Sequence, residues 1–170
     1  MAEDLVRQSV LDRLIGADLF RTGGSKEGRP ARTWHESVAV LEQNVLRDVE
    51  ALLNTRQVAY PAGTSRPHLA ESIYNYGLLD VTTLSADSGE TAPRIRRHIR
   101  ETIERFEPRL ADVDVVDPGE GEDEGRSATR MVRFRVEATL RTEPDPERVE
   151  FDTVLELATK RFEVSRKGHV

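Results

Sequence analysis

The chain contains no cysteine, which excludes disulfides, thiol nucleophiles and thiolate metal sites. Nor does any stretch approach the roughly 20 consecutive apolar residues that a membrane-spanning helix needs, so direct membrane insertion is not expected. The first residues include Glu3 and Asp4 and lack the basic-then-apolar order of a secretory leader, which makes the cytoplasm the expected location. Histidine is scarce: residues 35, 68, 98 and 169 show no ligand spacing, and neither a metal nor another cofactor is expected. No serine sits in a glycine-flanked nucleophile elbow. Gly23 and Gly24 lack the preceding strand and following helix that a phosphate-binding loop requires.

What remains is a charged chain with a modest core. A domain of 170 residues can bury roughly 70% of the surface its unfolded chain exposes. Hydrophobic residues make up 37% and charged residues 33%, with a net charge of -6. That balance argues against a dedicated nucleic-acid binder but leaves room for a local basic face. The composition divides the chain into an N-terminal arm over 1–20, a glycine-bearing linker over 21–32 and one folded unit over 33–170. An acidic loop over 117–128 interrupts that unit.

In the arm, Val6, Val10 and Leu14 recur at i, i+4 and i+8, flanked by Leu5, Leu11 and Ile15. This pattern fits a short helix packed on the body or an arm that docks on a partner. Thr33 and Glu36 match a capping box, opening a helix with the stripe Val38, Leu41, Val45, Val49 and Leu52. His35, in its first turn, reads as a surface residue. Ser65-Arg66-Pro67 predicts a second, short helix reaching Ile73-Tyr74, with Gly77 supplying the left-handed angle at its end. A third helix starts near Thr91. After it the period changes to two: Val113 and Val115, then Val132, Phe134, Val136, Ala138 and Leu140, then Val149, Phe151, Thr153, Leu155 and Leu157. Residues 161–164 add a short last strand. Strict alternation implies a sheet with one wet face, so the fold class is α+β: N-terminal helices packed on one face of a C-terminal antiparallel sheet.

The sharpest feature is the end of the third helix. Ile95, Ile99, Ile103 and Phe106 form its apolar stripe, while Arg94, Arg96, Arg97, Arg100 and Arg105 lie mostly off it. Pro108 biases Glu107 away from helical angles, so the helix should stop near Phe106. The turn then carries Glu107, Pro108 and Arg109 in a row. A glycosidase would need a protonated acid, and a guanidinium two residues from Glu107 favours the charged form instead. Nor does an aromatic-rich pocket for sugar rings present itself. The arginine face could track phosphates, yet Arg97–Glu101 and Arg100–Glu104 have the spacing of ordinary i, i+4 ladders.

Four segments in order carry a family resemblance: Ser9-Val10-Leu11-Asp12-Arg13-Leu14, Leu52-Leu53-Asn54-Thr55-Arg56, Ser72-Ile73-Tyr74-Asn75-Tyr76-Gly77-Leu78 and Phe106-Glu107-Pro108-Arg109-Leu110. Together they resemble the TssE family of type VI secretion baseplate subunits, the phage-tail wedge family once labelled lysozyme-like. The resemblance implies a non-enzymatic structural subunit of a contractile injection machine, at the cytoplasmic face of the inner membrane. It also implies that Glu107, Pro108 and Arg109 meet the helical core bundle of the wedge subunits TssF and TssG. Leu11, Asp12, Arg13 and Leu14 become a candidate partner-binding arm. The strands would template the first ring of sheath subunits, TssB and TssC, with TssK as a further baseplate partner and no nucleic acid among them. Arg133, Arg135, Glu150 and Asp152, on the wet face, are candidate sheath contacts. Residues 131–140 and 149–159, uninterrupted by proline, are where an added strand is expected. A structural account of the turn stands beside the docking one, in which Glu107 and Arg109 cap the helix and brace the next strand. The competing functions are a peptidoglycan-cleaving enzyme and a basic-helix nucleic-acid module.

Overall fold

In a computed structural model, residues 6, 8–14, 33–58, 61–63, 65–79, 91–117 and 131–167 are described. The proposed linker over 21–32, and the acidic loop beyond Asp117, lie outside them. The first long helix, α1 (Trp34–Asn54), opens with the expected capping box. The Thr33 hydroxyl accepts from the Glu36 N–H at 3.2 Å, and the Glu36 carboxylate accepts from the Thr33 N–H at 3.3 Å. Its apolar stripe faces inward, with Leu41, Val45, Val49, Leu52 and Leu53 all buried.

A short helix α2 (Pro67–Ala70) follows, with no side-chain cap, and then a separate 3-10 turn over Ile73–Asn75. The single helix expected up to Tyr74 is therefore split. Ser72 restarts the chain by accepting from the Tyr74 N–H at 3.2 Å, a local bond that competes with continued α-helix. Gly77 has φ of 105°, and a Cβ there would lie 2.4 Å from the Thr55 carbonyl oxygen, so only glycine fits this close approach. The approach is functional for the fold. Leu78 donates its N–H to the Thr55 carbonyl at 2.8 Å and accepts from the Gln57 N–H at 2.9 Å, tying the two segments on either side of α2 together.

The last helix, α3 (Thr91–Phe106), buries Ile95, Ile99 and Ile103. Four strands follow: β1 (Leu110–Val116), β2 (Met131–Leu140), β3 (Glu147–Glu156) and β4 (Arg161–Arg166), the last longer than the alternation suggests. They form an antiparallel meander in the order β1-β2-β3-β4. Phe134, Val136, Ala138, Leu140, Phe151 and Leu155 line the buried face, beneath α1 on the β4 side and α3 on the β1 side. The opposite face is the wet one, as the period-two pattern requires.

Strand order corrects one expectation. β1 covers β2 over 135–140 and β4 covers β3 over 151–156, so these parts of the two expected stretches offer no open backbone to another chain. The edges are β1 and β4, and both are modified. β1 carries a bulge between Ala111 and Asp114, with Asp112 at φ of 50°. On β4, the Asn54 side-chain amide donates to the Phe162 carbonyl at 2.8 Å and accepts from the Phe162 N–H at 2.9 Å, occupying one edge residue at both its groups.

The arm is inverted relative to an ordinary amphipathic helix. Residues 10–14 form one helical turn, yet Val10, Leu11 and Leu14 are 73%, 60% and 62% exposed while Asp12 is buried at 7%. Of the expected stripe, Val6 alone among the described residues packs against the core. Polar contacts anchor the arm instead: the Val6 N–H donates to the Ser37 hydroxyl at 3.1 Å, and Gln8 bonds both Ser37 and Asn44.

Candidate functional site

The turn after α3 forms because two local effects coincide. Glu107 N–H makes the last helical bond, to Ile103 at 2.8 Å, and the exposed Pro108 has no N–H to continue the ladder. Leu110 N–H then returns to the Glu107 carbonyl at 3.1 Å and launches β1. The side chains fold back over this turn. Arg109 Nε donates to Glu107 Oε1 at 2.7 Å and its Nη2 to Glu107 Oε2 at 2.6 Å, a two-point guanidinium–carboxylate pair.

The fork reaches further. Arg109 Nη2 also donates to Asp48 Oδ2 at 2.6 Å, and its Nη1 lies 3.6 Å from Asp12 Oδ2. Arg47 Nη2 bonds both Asp12 Oδ1 and Asp48 Oδ1 at 2.7 Å. Three carboxylates and two guanidiniums, drawn from the arm, α1 and the turn, thus form one cluster. Its centre is dry: the side chains of Asp12 and Glu107 are 1% and 5% exposed, that of Arg109 24%. Carboxylates so buried are tolerated only because each is paired and hydrogen-bonded.

The electrostatics agree with this geometry. Burial alone would raise the Asp12 carboxyl, but the Ser9 hydroxyl and the Arg47 and Arg109 guanidiniums outweigh it and hold Asp12 below its ordinary value. The Glu107 hydrogen bonds, opposed by burial and helped by Asp48, hold the Arg109 guanidinium above its ordinary range, so it stays charged at every accessible pH. Burial first, then the charges of Asp48 and Glu107, push the Tyr76 phenol up, which marks Tyr76 as a neighbour of the cluster. Its ring meets Phe106 edge-on at 5.4 Å.

The sequence-derived candidates therefore separate. Glu107, Arg109 and Asp12 come together in one cluster; Pro108, Leu11, Arg13 and Leu14 face solvent beside it. On the wet face, Arg135 pairs with Asp152 at 3.0 Å in the expected cross-strand manner. Glu150 stands opposite Glu137, a like-charge pair, and each takes its own cation: Glu137 bonds Arg148 at 2.7 Å, and Glu150 bonds Lys167. Arg133 lies opposite Val154, half-buried. Arg47, Asp48 and Tyr76 were not among the sequence-derived site residues. One signal was there: Asn44, Arg47 and Asp48 stand at i, i+3 and i+4 on α1, a polar face beside its apolar stripe. Among the described residues no group of carboxylates and histidines could hold a metal ion, and none of the helices is long and apolar enough to cross a membrane.

No curated protein matches the chain in sequence. Among solved structures, a chain from "The baseplate complex from the type VI secretion system" is similar, with a TM-score of 0.44 and 19% identity, over 67% of this chain and 93% of that one. Residues 39–145 match the family described as baseplate wedge protein gp25. That match runs from the second turn of α1 to the β2–β3 connection and takes in the Glu107-Pro108-Arg109 turn. It spans well over half of the sequence, and the protein belongs to the baseplate wedge protein gp25 family.

Proposed function

We propose that the protein is a structural subunit of a type VI secretion baseplate, assembled in the cytoplasm, in the role of the TssE family. In this reading it docks on the TssF and TssG core bundle, lies near TssK and starts the TssB–TssC sheath. The observation that carries the reading is the family match over residues 39–145, which contains the turn. The surroundings of the turn support it. Val10, Leu11 and Leu14 of the arm lie within a few residues of Asp12. Ile73, 87% exposed, and Tyr74, 42% exposed, lead into Tyr76 on the other flank. A buried ionic cluster with exposed apolar residues at its margins suits a helix bundle that covers it. Arg109 Nε and Nη2 donate within the chain and Nη1 lies 3.6 Å from Asp12, so the turn serves docking by fixing this surface, and the apolar margin makes the contact.

The sheath strand belongs at an edge, and β4 is the better edge. Phe162 directs its backbone groups outward to Asn54, so Val164 and Arg166, two and four residues on, direct theirs the same way. Val164→Pro would remove an outward donor without touching the β3 ladder. Wedges carrying this variant should assemble normally but fail to nucleate sheath from purified TssB and TssC. Sheath growth equal to that from unmodified wedges would refute the assignment.

An enzymatic role finds no support in the turn. Both Glu107 oxygens accept from Arg109, and a general acid would have to break that pair to carry its proton. The purified protein should release no reducing ends from peptidoglycan. Release that disappears in Glu107→Gln would establish the lysozyme-like alternative.

A further inference from the structure

Along α3, Arg96, Arg97, Arg100 and Glu101 line one wall of a groove of about 390 Å3 that shares no residue with the ionic cluster. Asp114 and Val115 of β1 line the other. The i, i+4 ladders expected along this helix form only in part. Arg100 lies 3.6 Å from Glu104, but Glu101 approaches His98 at 3.9 Å instead of Arg97. Among the described residues Arg96 and Arg97 have no carboxylate within ion-pair distance, although Arg96 is half-buried and the chain as a whole carries a charge of -6. A partly desolvated guanidinium without a counter-charge is disfavoured, and an incoming carboxylate would relieve it. The β1 wall adds a peptide-like component. Val115 N–H turns away from β2 and is taken by the carboxylate of its own neighbour, Asp114, at 2.9 Å. The groove thus already holds a carboxylate on an edge-strand N–H beside unpaired arginines.

We propose that this groove binds a short, extended, acidic segment of a partner protein. The segment's backbone lies along β1 at Asp114–Val116, and its carboxylates take Arg96 and Arg97. The bulge at Asp112 and Val113 ends the straight edge and limits backbone contact to these few residues. A peptide fits better than a nucleic acid. A strand edge offers donors and acceptors that a peptide backbone can pair with, whereas a phosphate chain has no amide N–H to match it. The site is separate from the proposed docking surface and from the β4 edge, so its failure leaves those readings standing.

The test uses the full chain and a labelled octapeptide of alternating Glu and Val, with alternating Lys and Val as its control. The acidic peptide should bind and slow amide exchange at residues 114–116, and the basic one should not bind. Arg96→Glu combined with Arg97→Glu should weaken binding by about tenfold or more, and Arg97→Gln alone, at an exposed position, by a smaller factor. Equal binding of both peptides, or unchanged affinity in both variants, overturns the proposal. So does tighter binding of a single-stranded 20-nucleotide DNA at the same arginines. Binding that emerges only when Glu120, Glu122, Asp123 and Glu124 are neutralised assigns the groove to this chain's own acidic stretch, which also overturns it.

Discussion

Arg109→Ala is expected to destabilise the protein by about 3 kcal/mol, near the lower end for breaking a buried ion pair. For a chain of this size that corresponds to a melting temperature lower by roughly 6–12 °C. The reason is what the substitution leaves behind. Glu107, 5% exposed, loses the guanidinium donors at both oxygens and keeps only the residue-109 backbone N–H at Oε1, while Asp12, 1% exposed, keeps Arg47 and so limits the loss. On the docking account read from the sequence, this variant would have kept its melting temperature and lost only its partner. With the fork turned inward, stability should fall first. Lysine should recover part of the loss, since one ammonium cannot span Glu107, Asp48 and Asp12 together. The pH dependence has a definite sign. Asp12 is held below its ordinary value in the folded chain, so its pairing stabilises fully above the unfolded carboxylate range and is lost as pH falls through the lowered folded value. The gap between wild type and Arg109→Ala, followed by urea denaturation, should therefore narrow below about pH 4. A gap that is constant down to pH 2, or no gap at neutral pH, would contradict the cluster's role.

Asn75→Ala should cost a comparable amount, about 3 kcal/mol, by a different route. The Asn75 residue is 1% exposed. Its side chain accepts from the Ala62 N–H at 2.8 Å and donates to the carbonyls of Ala62 and Ala70, each at 3.0 Å. Alanine would leave one donor and two acceptors unpaired where water has little access. The damage should be regional. Amide exchange should accelerate across residues 61–78 before it does in β2 and β3, because the helix–sheet core shares none of these bonds. Uniform acceleration across the sheet would mean that this segment and the core unfold together.

Much of the fold was legible because its determinants are local. Thr33 and Glu36 lie three residues apart, and their reciprocal bonds can be read directly from the sequence. Phe134, Val136, Ala138 and Leu140 alternate strictly, so the buried face of β2 follows from the pleat. Pro108 stops α3 where the missing N–H says it must. Alternation, however, assigns faces and says nothing about neighbours. Hence the proline-free stretches at 131–140 and 149–159 looked open although β1 covers 135–140 and β4 covers 151–156. The ionic cluster was the least legible part. Asp12 meets Arg47 across 35 positions and Arg109 meets Asp48 across 61, and pairs so remote leave no periodic trace. The same distance effect misled the reading of the arm. Val10 and Leu14 have the spacing of a buried stripe, but Asp12 finds two guanidiniums inside, and its burial turns the leucines outward.

Those outward leucines provide the most direct measurement of the central claim, that this family member is a wedge subunit docked through the surface around its turn. Leu11→Asp combined with Leu14→Asp changes side chains that are 60% and 62% exposed, so stability should move by no more than about 0.5 kcal/mol. If the arm sits at the centre of the interface, affinity for a co-purified TssF–TssG core should fall by about a hundredfold or more, as burying two charges in an apolar contact requires. The measurement is the dissociation constant of each variant for that core, alongside its denaturation midpoint. An unchanged midpoint with lost binding is the predicted result; wild-type affinity in the double variant would contradict it.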